Sequence, residues 1–241
     1  MQETVESLNA ALAEKYRVAL SSWGEYARTR QLSQPQLMAI PKSYLESSIR
    51  LMIVGQESAG WGDPAWDASS DEGRTGLLKA YTDFDLALPT RWRGTPFWKA
   101  AYFVRERINP EAAPNSFLWS NLVPVSEKQA GDKFGRPSEE VARTATSMRL
   151  LQAEIEVAKP EAIVFFTGVS RDPLLRALYR EMDLVDRGDG IAEVEGLPNN
   201  AVGFRTEHPK TLRMRHHESV LQRLTDLIRE STKASEEMGD G

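Results

Sequence analysis

The stretch from Ile49 to Gly62 constrains the fold more than any other part of this 241-residue chain. Four apolar residues, 51–54, run up to Gly55 and are followed by the polar pair Gln56 and Glu57. An unbroken apolar run that ends at a glycine is typical of a buried parallel strand leading into a functional loop. Open α/β sheets bind ligands beyond the carboxyl ends of such strands, so we expect Gln56 and Glu57 to face a ligand.

Three later stretches repeat this pattern of an apolar strand with a polar end. They cover residues 116–124, 162–167 and 201–206, and their polar positions are Asn121, Gly168 and His208. Helical patterns alternate with the strands, which predicts an α/β fold. We expect a three-layer α/β/α sandwich around a central, mainly parallel four-stranded sheet, with all four strand ends at one edge.

The other segments surround this sheet. From Val5 to Tyr26, apolar residues recur every three or four positions, which predicts a long amphipathic helix within an N-terminal helical extension, residues 1–48. Residues 60–93 are predicted to be a long irregular stretch, which is usually functional in a compact domain. Residues 183–200 predict a turn-rich hairpin region and residues 235–241 a frayed tail. The length fits one domain, residues 1–241.

Composition excludes several kinds of chemistry. The chain has no cysteine and three histidines, which excludes disulfides, thiolate zinc sites and cysteine nucleophiles, so we expect neither a metal nor a cofactor. It has no run of about 18 apolar residues and begins with polar residues, which predicts a cytoplasmic protein without a membrane partner. The net charge of -5 argues mildly against a protein that coats nucleic acid, but it leaves a local basic patch open.

Each polar position also has a purely structural explanation. Glu57 suits the first turn of a helix, Asn121 can form a structural hydrogen bond to a neighbouring loop, and His208 before Pro209 can simply end a strand. The glycines near residue 55 lack the spacing of a phosphate-binding or dinucleotide-binding loop, and no Gly-x-Ser-x-Gly elbow is present. These absences disfavour a nucleotide-binding protein or an α/β hydrolase.

The four polar strand ends together resemble the uracil-DNA glycosylase superfamily in order and rough spacing. The resemblance covers about residues 49–215, and the motifs that carry it are Val54-Gly55-Gln56-Glu57-Ser58, Ser120-Asn121-Leu122-Val123-Pro124, the segment 163–168 and His208-Pro209-Lys210-Thr211-Leu212. The Gly-Gln-acid loop and the His-Pro-x-x-Leu segment are its most specific parts. The resemblance implies a DNA partner and a monofunctional enzyme that needs no cofactor or metal and acts as a monomer.

The resemblance also implies roles for individual residues. Gln56 would contact the base through its backbone, Asn121 would read the base edge, and His208 would donate a hydrogen bond to the departing base. Glu57 would position water and stabilise the cationic sugar, with Asp63 or Asp67 as alternatives because Glu57 is longer than the family's aspartate. Leu212 would enter the duplex, unless it is a core leucine, and phosphates would be held by Lys210, Arg213 and Arg215.

Departures from the family pattern bear on the substrate. The best-known uracil enzymes have a tyrosine where this chain has Ala59, and that tyrosine closes the pocket against a substituent at the pyrimidine C5. Alanine leaves space there, unless Trp61 or Trp66 fills it. The stacking partner of the base is expected to be Trp61 or Trp66, among the available aromatics Trp61, Trp66, Trp92, Phe97 and Trp98. An asparagine can present either a donor or an acceptor, so Asn121 does not decide between uracil and cytosine.

The resulting hypothesis is a DNA glycosylase that removes a flipped-out pyrimidine and leaves an abasic site. The favoured substrate is a C5-modified pyrimidine, such as a bulky glucosylated hydroxymethylcytosine in foreign or phage DNA, which implies antiviral defence. The alternatives are a uracil-excision DNA repair enzyme and a non-catalytic module that binds a base or nucleic acid on the same fold.

Overall fold

The computed structural model describes residues 3–63, 65–84, 86, 94–131, 133–212 and 217–239. Its central feature is a six-stranded, mostly parallel sheet. The strands are β1 (Leu51–Glu57), β2 (Phe117–Val123), β5 (Ala162–Phe165), β6 (Asp183–Gly188), β7 (Ile191–Glu195) and β8 (Val202–Arg205). Their order in the sheet is β2-β1-β5-β8-β7-β6. A separate pair joins β3 (Glu127–Lys128) to β4 (Phe134–Gly135).

The sheet confirms the mixed α/β fold and has two more strands than the four that were predicted. β1 pairs in parallel with β5, and β5 pairs in parallel with β8. The additional strands come from the predicted hairpin region, where β6 and β7 form an antiparallel pair and β7 joins β8 antiparallel. The sequence shows the turn between them at Gly188 to Gly190, but backbone pairing to β8 leaves no pattern in a single sequence.

The chain divides into two compact units. The first unit consists of Met1–Ile40, Glu57–Asp85 and Ser120–Ala158. The second unit consists of Pro41–Gln56, Leu86–Trp119 and Lys159–Gly241. The division falls within β1 and β2. The prediction of a single domain stays a prediction.

The first unit is mainly helical. It contains α1 (Val5–Ala19), α2 (Trp23–Arg30), α4 (Asp71–Asp83), α6 (Glu139–Ser147) and α7 (Leu150–Ala158). α1 buries Leu8, Leu12 and Tyr16 and packs against α7 and α4. The long amphipathic helix predicted from Val5 to Tyr26 is two helices, because residues 20–22 form a turn in which the N–H of Trp23 donates to the carbonyl of Leu20. The serines there favour turns and helix caps over helix interiors.

Helix α4 lies within the stretch that was predicted to be irregular, so that prediction was wrong for residues 71–83. Ser70 caps the helix by accepting a hydrogen bond from the N–H of Gly73, and Asp71 lies in its first turn. Gly76 lowers helix propensity in the sequence, but a β-carbon there would lie 2.9 Å from Cε2 of Trp66. Gly76 is therefore required for close packing against Trp66, although its low helix propensity argues against a helix in the sequence.

The second unit holds most of the sheet, together with α3 (Lys42–Leu45), α5 (Pro96–Ile108), α8 (Asp172–Arg176), α9 (Pro209–Leu212) and α10 (His217–Gly239). Thr95 caps α5, and Pro96 occupies its first position, where proline is favoured. α10 packs against α5 and β8 and buries Leu221, Leu224 and Ile228. It extends to Gly239, and the fraying predicted from residue 235 stays a prediction.

Candidate functional site

The carboxyl ends of β1, β5 and β8 meet in the second unit. The side-chain amide of Gln56 donates a hydrogen bond to the carbonyl of Thr167. The N–H of Gly168 donates to the carbonyl of Thr206 at 3.0 Å, and the N–H of Thr206 donates to the carbonyl of Phe165 at 3.0 Å. These bonds hold the ends of three neighbouring strands together, as expected for the ligand-binding edge of a parallel sheet.

Gly168 lies at the centre of this arrangement. Its φ of +70° is one that residues with side chains rarely adopt. A β-carbon on Gly168 would lie 3.7 Å from Nε2 of Gln56, 3.7 Å from the backbone N of His208 and 3.0 Å from Oε2 of Glu207. The structure therefore brings Gln56, Gly168 and His208 together, and it adds the carboxylate of Glu207.

Glu207 was not singled out as a site residue, although it precedes His208 in the sequence. Glu207 is half-buried. Thr167, just after β5, and Thr206, just after β8, are fully buried. The hydroxyl groups of both threonines have no hydrogen-bond partner among the described residues. Buried polar groups normally find partners, so these two hydroxyls are exceptions to the usual pairing.

The ring of His208 is oriented by its own backbone turn. Its Nδ1 accepts a hydrogen bond of 3.2 Å from the N–H of Lys210, and its carbonyl accepts from the N–H groups of Thr211 and Leu212. A neutral imidazole that accepts at Nδ1 carries its proton on Nε2. His208 is half-buried and lies three residues beyond the end of β8.

An aromatic cluster lies beside His208. The ring of Phe97 faces the imidazole at a centroid distance of 6.5 Å and an interplanar angle of 24°. Phe97 also contacts Trp98, Phe166 and Trp119, at centroid distances of 5.1, 6.0 and 6.3 Å. Phe97 is half-buried, and it is an aromatic residue that the structure places beside His208 within this unit.

Trp61 and Trp66, the predicted stacking partners, belong to the first unit. Trp61 contacts Phe84 at a centroid distance of 5.9 Å, and Trp66 packs on Gly76 of α4. Both are half-buried. Their role in stacking stays a prediction.

Glu57 is the last residue of β1 and lies in the first unit, where it is half-buried. The two alternative acids have local structural roles. Asp63 accepts a hydrogen bond from the N–H of Ala65, and Asp67 accepts from both the N–H and the hydroxyl of Ser69. The bonds from Ser69 lower the pKa of Asp67. Asp67 thus stabilises the loop before α4, and Glu57 stays the predicted catalytic acid.

Asn121 is buried on β2 and paired with a residue that sequence reasoning missed. Its Nδ2 donates a hydrogen bond to Oε1 of Gln36, and the two residues are 4% and 2% exposed. The structural hydrogen bond to a neighbouring loop, one of the two roles considered for Asn121, is therefore present. The signal for Gln36 was weak, because it ends the polar stretch 33–36 and directly precedes the core residues Leu37, Met38 and Ile40.

A buried carboxyl group is linked by hydrogen bonds to residues near this pair. Glu154 is 1% exposed on α7 and accepts hydrogen bonds from the hydroxyls of Tyr16 and Ser120. The hydroxyl of Tyr16 also accepts from the N–H of Met38 at 3.0 Å. Burial raises the pKa of Glu154 to about 7. The network ties Met38, two residues after Gln36, to Ser120, the neighbour of Asn121.

A pocket of about 270 Å³ lies beside Ala59 in the first unit. Its lining consists of Leu32, Ser33, Gln34, Ala59, Gly60, Trp61, Gly62 and Phe134. Two aromatic rings and two neutral polar side chains are present, with no charged group among these lining residues. Ala59 is exposed, and the expectation that it leaves room for a substituent stays a prediction.

The predicted DNA-contacting residues differ in accessibility. Lys210 is exposed, whereas Leu212 is 2% exposed within α9. To enter a duplex, the side chain of Leu212 would have to leave this packing. Both predicted roles of Leu212, insertion into the duplex and packing in the core, therefore stay predictions. Arg213 and Arg215, and also Trp92, lie outside the described residues.

Comparison with known proteins does not assign a family to this chain. No protein-family model matches the sequence, and no curated protein matches it. Within the described ranges, no helix is long and apolar enough to cross a membrane. Among those same residues, no group of three or more His, Cys, Asp or Glu side chains could hold a metal ion.

Proposed function

We propose that this protein is a monofunctional DNA glycosylase that hydrolyses the N-glycosidic bond of a flipped-out pyrimidine and leaves an abasic site. The observation that carries the proposal is the hydrogen bond from the N–H of Lys210 to Nδ1 of His208, which places the imidazole proton on Nε2. The backbone N of His208 and Nε2 of Gln56 would each lie 3.7 Å from a β-carbon on Gly168, and an imidazole N–H at this sheet edge would stabilise the negative charge of a departing base. The finer architecture we propose is a three-layer α/β/α sandwich.

The reaction follows from the charges that develop as the bond breaks. The bond from the sugar C1′ to the base nitrogen breaks, its electron pair leaves with the base, and the sugar becomes an oxocarbenium-like cation. The N–H at Nε2 of His208 stabilises the negative charge on the base, and the carboxylate of Glu57 stabilises the cation. Glu57 also accepts a proton as water attacks C1′, which yields the free base and the abasic sugar.

The pocket beside Ala59 supports a bulky substituent at C5 of the pyrimidine. A cavity of roughly 150 Å³ can hold a benzene molecule. The pocket of about 270 Å³ beside Ala59 is larger, and its uncharged aromatic and polar lining suits a neutral hydroxylated group. We therefore propose a C5-modified cytosine in foreign DNA as the substrate, and a role in antiviral defence.

The test measures base release from matched oligonucleotides. These carry uracil, thymine opposite guanine, 5-hydroxymethylcytosine or glucosylated 5-hydroxymethylcytosine, and alkaline cleavage reveals abasic sites. We expect release of the bulky cytosine, and a loss of roughly 10²–10³-fold in His208→Ala with DNA binding retained. The control is Glu181→Gln, an exposed residue of the second unit, which leaves the rate unchanged.

Two results would redirect the proposal. Release of uracil alone would identify a uracil-excision repair enzyme with an altered residue at position 59. Binding of modified DNA without release from any substrate would identify a non-catalytic base-binding module.

A further inference from the structure

The side-chain amides of Asn121 and Gln36 form a buried pair at the end of β2. Nδ2 of Asn121 donates to Oε1 of Gln36. An amide nitrogen only donates and an amide oxygen only accepts, so in this contact the nitrogen end of Asn121 lies beside the oxygen end of Gln36. The nitrogen faces Gln36, and the carbonyl oxygen forms the opposite end of the amide.

Gln36 is held in position by the segment that pairs with the end of β2. The N–H of Gln36 donates to the carbonyl of Pro124 at 2.8 Å. Three residues earlier, the N–H of Ser33 donates to the carbonyl of Ser126 at 2.8 Å, and the N–H of Ser126 donates back to the hydroxyl of Ser33 at 2.9 Å. These bonds fix the backbone of Gln36 beside Asn121, and the hydrogen bond from Asn121 engages its side-chain amide.

A second anchor lies on the other side of Gln36. The hydroxyl of Tyr16 accepts from the N–H of Met38 and donates to the buried carboxyl group of Glu154. Glu154 also accepts from Ser120, whose backbone continues directly into Asn121. The same network thus restrains the segment that carries Gln36 and the strand that carries Asn121.

The hydrogen-bonding edges of pyrimidines make this restraint consequential. At positions 3 and 4, a cytosine-type base presents an acceptor nitrogen and an amino donor, whereas a uracil-type base presents an N–H donor and a carbonyl acceptor. An asparagine that is free to rotate its amide by half a turn can match both patterns. An asparagine held in one orientation matches one of them and leaves unpaired polar groups against the other.

We propose that Gln36 is a specificity-determining residue that restricts the site to one of these two patterns by fixing the amide orientation of Asn121. The inference rests on the proposed function, in which Asn121 reads the base edge. With a C5-modified cytosine as substrate, the oxygen of Asn121 accepts from the amino group at C4. Gln36 then acts through Asn121 and does not itself contact the base.

The experiment compares two bases that differ only in this edge. Oligonucleotides carry 5-hydroxymethylcytosine or 5-hydroxymethyluracil at one position, and the ratio of single-turnover release rates is measured at pH 8. The variants are Gln36→Met, which keeps the length of the side chain but removes the acceptor, and Gln36→Glu, which retains an acceptor. We expect wild type to favour the cytosine. Gln36→Met should lower that preference roughly tenfold, the effect of one hydrogen bond, whereas Gln36→Glu should keep it within about threefold.

A second readout does not depend on catalysis. In protein with ¹⁵N-labelled asparagine, one side-chain amide proton of Asn121 should resonate downfield in wild type and in Gln36→Glu, and should lose that shift in Gln36→Met. The same spectra show whether each variant is folded. Wild-type protein without this downfield proton would overturn the proposed orientation.

The remaining outcomes separate the inference from the function on which it rests. Release that continues with an unchanged ratio in Gln36→Met overturns the inference and leaves the glycosylase proposal standing. Equal changes in Gln36→Met and Gln36→Glu also overturn it, because the acceptor would then be irrelevant. A wild-type preference for the uracil base overturns the contact assigned to the oxygen of Asn121, because that oxygen would then accept from the N–H at position 3. Release of neither base, nor of any base in the first experiment, overturns the proposed function and the inference together.

Discussion

The hydroxyl of Tyr16 donates a hydrogen bond of 2.7 Å to Oε1 of Glu154 and so joins α1 to α7 through a carboxyl group that is only 1% exposed. Burial raises the pKa of this carboxyl group from 4.5 to about 7, against the hydrogen bonds from Ser120 and Tyr16, which lower it. A proton is thus bound more tightly by the folded protein than by the unfolded chain.

The first prediction follows from this difference. Between about pH 4.5 and 7 the folded protein retains a proton that the unfolded chain has released, so the free energy of unfolding falls as the pH rises through this range and levels off above it. The loss is on the order of 3 kcal/mol. Urea unfolding at pH 5, 6, 7 and 8 measures it. Glu154→Gln should flatten the slope, whereas Glu156→Gln, on the same helix but half exposed, should not.

The second prediction concerns which acid acts in the reaction. Glu57→Gln should lower the rate of base release roughly 10²–10³-fold, because the developing positive charge on the sugar loses its carboxylate. Asp67→Asn should leave the rate near that of wild type, because Asp67 bonds to Ser69. Glu207→Gln is measured in the same single-turnover assay. A large loss there, with little effect of Glu57→Gln, would transfer the role to Glu207.

The third prediction concerns the crowded strand end at Gly168. Gly168→Ala should cost roughly 1–3 kcal/mol of stability, because φ is +70° and the new β-carbon would lie 3.0 Å from Glu207. It should also abolish base release, because Gln56 and His208 lie around the same point. Gly131→Ala is the matched control, since Gly131 has a φ of +78° and open space around it. Thermal unfolding with a base-release assay should show reduced stability in both variants but lost activity only at Gly168.

The fourth prediction concerns a buried ion pair in the second unit. Arg205 donates to Oδ2 of Asp172 at 3.0 Å, and the two side chains are 8% and 11% exposed. Arg205→Met leaves the Asp172 carboxylate buried without its partner and should cost about 3–5 kcal/mol by urea unfolding. Arg223→Met removes an exposed pair with Asp189 and should cost less than about 1 kcal/mol. Equal costs for both variants would contradict this difference.

The sequence by itself determined the parallel centre of the sheet and the helices that are most regular in pattern. Residues 51–54 and 162–165 form strands because they are apolar on both faces, a pattern that depends on neighbouring residues alone. The same holds for α5, whose cap Thr95 and first residue Pro96 are adjacent in sequence. Local signals of this kind can be recognised without knowing the fold.

The tertiary structure decided what depends on partners far apart in sequence. Gly76 is compatible with α4 because Trp66 packs against it, and β7 joins the sheet because β8 offers it a free edge. Gln36 and Asn121 are 85 residues apart, and Tyr16 and Glu154 are 138 apart. Burial and hydrogen bonding between such residues follow from chain folding, so a polar residue in an apolar segment signals a partner but does not identify it.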